Sequence, residues 1–68
     1  MATHEECKVA LETLLDREGL RYVLDTLSEI CEEKREHVLT VWNDKGLARA
    51  WRENAKACER AMQAAVSL

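Results

Sequence analysis

Two stretches of this chain repeat apolar residues at alternating spacings of four and three. Leu20, Leu24, Leu27, Cys31, Lys34, Val38 and Val41 form the first register, and Leu47, Trp51, Asn54, Cys58, Ala61, Ala65 and Leu68 the second. That period places each set on one side of an α-helix. The pattern predicts helices over about 19–42 and 45–66, joined through Asn43-Asp44-Lys45-Gly46 with a cap at Asn43 or Asp44. So short a connection favours antiparallel neighbours.

A shorter pattern precedes them. Thr3-His4-Glu5-Glu6 reads as a capping box, with Thr3 accepting from the backbone N–H of Glu6 and the Glu6 carboxylate reaching back. A first helix over about 4–15 then gathers Cys7, Ala10, Leu11, Leu14 and Leu15 on one face, and Val9 points away. Asp16-Arg17-Glu18-Gly19 is the break. It suits either Asp16 as a cap for the next helix or Gly19 as a left-handed end to the first.

The polar positions separate the two long helices. In the second helix, Asp25, Glu29, Glu32, Arg35 and Glu36 oppose a single stripe that also takes in Val23 and Ile30, while Tyr22 and Leu39 lie off it. In the third, Ala48, Ala55, Met62 and Val66 widen the apolar arc on one side, and Ala50, Ala57 and Ala64 widen it on the other. The arc spans roughly half the circumference, against about 100° for a helix with one covered face. Alanine ridges favour close helix contact. One antiparallel neighbour covers one stripe, and the first helix is only about 18 Å long.

The expected fold is therefore all-α: a short N-terminal helix and two long antiparallel helices, a helical hairpin or three-helix bundle. The surplus apolar arc predicts a homodimer, in which the wide face of the third helix meets its copy or the copy of the second. Leu39, Trp42, Ala50, Trp51, Ala57 and Met62 are the candidate interface residues. Asn54, in mid-seam, is a candidate for fixing register, and Lys34 packs its stem while its ammonium reaches water.

Length sharpens this expectation. Sixty-eight residues make one domain, and a core of that size supplies about 3–5 kcal/mol without help. The absence of proline and the 34 % charged fraction favour helix, and the 47 % hydrophobic fraction is too high for a disordered chain. No charge-free run approaches the roughly 20 residues of a membrane span. The cysteines are odd in number, at Cys7, Cys31 and Cys58, and no apolar leader precedes them. They are expected to be free thiols packed as small hydrophobes in a cytoplasmic setting.

Charge is unevenly divided. Residues 1–44 hold 5 basic and 11 acidic residues, a balance of −6, and residues 45–68 hold 5 and 2, a balance of +3. Lys45, Arg49, Arg52, Lys56 and Arg60 line one face of the third helix. That face reads as a solvated complement to acidic helix 2 of its own or another chain. Alternatively it binds anions, lying along a nucleic-acid backbone. The stripe lacks stacking aromatics, and the net charge of −3 opposes non-specific nucleic-acid binding.

Candidate chemistry is sparse. Glu33 and His37, at i and i+4, can share a metal if further ligands converge on them. The other histidine, His4, is near the N-terminus. Cys31 and His37 suggest a nucleophile and base, yet they point to different sectors about 9 Å apart along the axis. The expectation is a non-enzymatic adaptor or regulator with no cofactor. Its expected partners are its own copy and another protein, with nucleic-acid binding and metal binding as alternatives.

Overall fold

The computed structural model describes residues 2–66, so Leu68 of the predicted seam lies outside the described residues. Three helices follow one another: α1 His4–Glu18, α2 Leu20–Val41 and α3 Lys45–Ala64. No described residue is in a strand. No helix is long and apolar enough to cross a membrane.

The helix ends follow local chemistry. The Glu6 amide donates to Thr3 Oγ1 at 3.2 Å, as the capping pattern predicts. The returning contact differs, because the Glu6 carboxylate accepts from the Thr3 hydroxyl rather than its backbone amide. Asp44 caps α3, its carboxylate accepting from the Leu47 amide at 2.9 Å. Asn43 takes the left-handed turn position, at φ 49°.

Helix α1 runs three residues beyond the predicted end at Leu15, through Asp16, Arg17 and Glu18. Of the two expected breaks the structure uses Gly19, whose amide donates to the Leu15 carbonyl at 2.9 Å. Gly19 sits at φ 84°, ψ 158°, and its carbonyl receives the Val23 amide of α2. L-residues with a side chain essentially never occupy that region. We expect Gly19→Ala to cost about 1–3 kcal/mol locally. Because α1 buries no side chain, the chain sheds this strain by unwinding around the joint. Amide exchange should then speed up from Glu18 to Val23 and stay slow through the middle of α2 and α3.

Helices α2 and α3 pack along their lengths, whereas α1 touches α2 only lightly and makes no close backbone approach to α3. The result is a hairpin with a splayed arm, a flat body of 38 × 30 × 14 Å, rather than a closed three-helix bundle. Its buried apolar residues are Cys31, Val38, Ala48 and Ala55.

The buried face is rotated from the predicted seam. On α2 it runs through Leu24, Ser28, Cys31, Arg35 and Val38, leaving Leu20, Leu27, Lys34 and Val41 exposed. On α3 it runs through Ala48, Trp51, Ala55, Cys58 and Met62, leaving Leu47, Asn54 and Ala61 exposed. The physical reason is the Ala48–Ala55 edge. Packing through two methyl groups brings the helix axes closer than packing through Leu47 and Asn54, and it leaves the Asn54 amide hydrated. Across the same interface the Ser28 hydroxyl donates to Glu59 Oε1 at 3.3 Å.

Candidate functional site

The rotation of the seam determines what the molecule shows. At 100° per residue, Val23, Leu27, Ile30, Lys34 and Val41 lie on one flank of α2, to one side of the face that meets α3. Leu47, Ala50, Asn54, Ala57, Ala61 and Ala64 lie on the corresponding flank of α3. Because the helices are antiparallel, both flanks point to the same broad side of the hairpin. That side exposes Leu27 and Ile30 together with Leu47 and the alanine row. Lys34 and Asn54 interrupt it midway.

Helix α1 extends the apolar surface. Leu11 and Leu14 meet Val23, Leu27 and Ile30 across an open cleft of about 140 Å³. Its walls stay wet: Leu11, Leu14, Leu27 and Ile30 are all at least 38 % exposed.

The opposite side of the hairpin is charged. Asp25, Glu29, Glu32 and Glu36 run along α2, beside Lys45, Arg49, Arg52 and Lys56 along α3. Near the turn, Arg35 of α2 joins Lys45, Arg49 and Arg52 around a groove of about 190 Å³ floored by Leu39 and Ala48. Arg35 is held by Glu32 at 3.1 Å. Lys56 lies 3.8 Å from Glu53. Among the described residues Lys45, Arg49 and Arg52 have no carboxylate within salt-bridge distance. The sequence singled out the α3 cations, but Arg35 was assigned to a plain polar face. Only the packing of α2 on α3 adds it to the groove.

The six residues proposed for the interface separate into three environments. Ala50 and Ala57 are exposed on the apolar side, and Trp42 is exposed at the C-cap of α2. Trp51 and Met62 are half-buried on the intramolecular face of α3, and Leu39 floors the basic groove.

The residues singled out for chemistry do not assemble. Glu33 and His37 line a shallow exposed hollow with Ile30 and Lys34. Among the described residues no three His, Cys, Asp or Glu side chains converge as a metal site. Cys31 faces inward while His37 is exposed, so that pair does not meet. Cys31 has a different neighbour, the thiol of Cys58 on α3. Burial pushes the Cys31 thiol up from its ordinary value, and the Cys58 thiol and Glu32 add to that rise. The sequence carries a signal for this pair, because Cys31 lies as far before Asn43 as Cys58 lies after Gly46.

No family model, no curated protein and no solved structure matches the chain.

Proposed function

We propose that this chain is a small helical interaction module that works as a homodimer, with the apolar side of the hairpin as its self-association face. The observation that carries the reading is the excess of surface over mass. A compact 7.8 kDa chain exposes about 4400 Å², whereas this one exposes 5576 Å². The difference, about 1200 Å², exceeds the roughly 800 Å² that each partner buries in an ordinary stable interface.

Shape supports the same conclusion. A compact chain of this length has a radius of gyration of about 11 Å, and one twice as long about 14 Å. The observed value is 13.8 Å. Apposing two flat hairpins on their apolar sides gives a two-layered body of ordinary proportions.

The occupant is a second copy because the surplus area matches what each partner of a stable dimer buries, and a two-fold axis lets the same flat apolar side serve both partners. Light scattering or sedimentation of the purified chain tests the reading: twice the chain mass at micromolar concentration is expected, and a folded species of single-chain mass overturns it. Adaptor or regulator describes the role such a dimer plays when its charged outer side meets a further protein.

A second reading is favoured by the groove that Arg35 shares with Lys45, Arg49 and Arg52. Guanidinium groups match phosphate oxygens in pairs, so this side takes an anionic partner such as a nucleic-acid backbone. We expect oligonucleotide binding at low ionic strength that weakens steeply with added salt and is lost in Arg52→Glu. No binding at low salt removes the reading.

A further inference from the structure

We propose that Cys31 and Cys58 form a modification site, a dithiol that hydrogen peroxide converts into an intrachain disulfide joining α2 to α3. The geometry carries it. Cys31 of α2 and Cys58 of α3 both lie on the α2–α3 interface, the first buried and the second half-buried. The contact between Ser28 and Glu59, which flank them on the same two helices, fixes the same register independently.

Standard helix packing brings facing backbones close enough. Helix axes pack about 8–10 Å apart, at the short end where alanine faces the neighbour. Ala55 is fully buried in this interface, one turn from Cys58. Subtracting a backbone radius of about 2.3 Å for each helix leaves roughly 3.5–5.5 Å between facing Cα atoms. Disulfides span about 4.4–6.8 Å, a range that this spacing overlaps.

Burial sets the order of events. Cys58 is half-buried and Cys31 buried. The Cys58 thiolate attacks the peroxide, the O–O bond breaks, and Cys58 becomes a sulfenic acid as the first water leaves. The Cys31 sulfur then attacks the Cys58 sulfur and gives up its proton. The S–O bond breaks, hydroxide takes the proton as the second water, and the S–S bond forms. Two thiols and one peroxide give one disulfide and two waters, each sulfur losing one electron. Cys31 is the slower to meet peroxide because it is buried, whereas Cys58 is partly open to solvent. Cys7, exposed on α1, serves as the internal comparison.

The cross-link rests on α2–α3 packing alone, not on self-association. The test uses the full chain carrying Cys7→Ser, dilute, with hydrogen peroxide as oxidant. Intact mass should fall by two hydrogens, and both thiols should disappear from alkylation. Trypsin should release the peptide from Tyr22 to Lys34 linked to that from Ala57 to Arg60, and dithiothreitol should restore both. In Cys31→Ser the reaction should stop at a Cys58 sulfenic acid that dimedone traps. Survival of both thiols at a peroxide dose that fully oxidises Cys7 of the unsubstituted chain overturns the proposal. So does a disulfide that joins two chains instead of closing within one.

Discussion

Ala57→Glu is expected to reduce the protein to single chains while leaving each chain folded. In the single hairpin Ala57 is exposed on α3, and glutamate is a good helix former there. A surface change of this kind shifts stability by no more than about 0.5 kcal/mol. In the dimer the same position lies under the second copy, and symmetry places two unpaired carboxylates in the interface. An uncompensated charge there costs several kcal/mol. A loss of about 3 kcal/mol is roughly a 150-fold weaker association. Sedimentation at tens of micromolar should show single-chain mass for the variant against twice that for the parent, with helical circular dichroism retained in dilute samples of both. A parent that is already single at that concentration, or a variant that still pairs, removes the apolar side as a self-association face.

Ala55→Leu acts on the other interface and should cost the most stability. Among the described residues of the core, Ala55 alone has no exposure at all. It sits on the face where α3 packs against α2. A leucine there forces the helices apart or into poor rotamers, at about 1–3 kcal/mol. A core this small supplies only about 3–5 kcal/mol, so the loss is a large fraction of the reserve. We expect a thermal midpoint lowered by about 4–24 °C, taking roughly 4–8 °C per kcal/mol for a domain of this size. Ala61→Leu, on the exposed flank, is the matched control and should leave α2–α3 packing intact. Equal melting of Ala55→Leu and parent contradicts the close packing described for the hairpin.

How much was legible in the sequence depends on what each feature needs. Helix number and the turn at Asn43–Gly46 are local, and propensity and capping determine them. Thr3 and Asp44 cap where their hydroxyl and carboxylate predict. The rotation of the seam is not local. A stripe that is wide on α3 offers several edges to α2, and periodicity alone weights Leu47 and Asn54 as heavily as Ala48 and Ala55. Close approach decides between them, and that is a property of two helices together.

The same limit explains the functional residues. The row from Lys45 to Arg60 is visible because it lies on one helix. Arg35 enters the groove only when α2 is laid beside α3. The break before α2 was visible as Asp16–Gly19, but its donor and acceptor partners were not. The choice of Gly19 over Asp16 rests on a backbone conformation that a sequence does not display.

That choice makes α1 a lever on a one-residue pivot. Fifteen helical residues form a rigid arm of about 22 Å. A rotation of about 10° at Gly19 therefore sweeps the tip near Thr3 through roughly 4 Å, while Leu15 near the fulcrum barely stirs. Whatever seats itself in the cleft beside Leu11 and Leu14 acquires this mechanical advantage, and small adjustments at its floor become large excursions at the amino terminus.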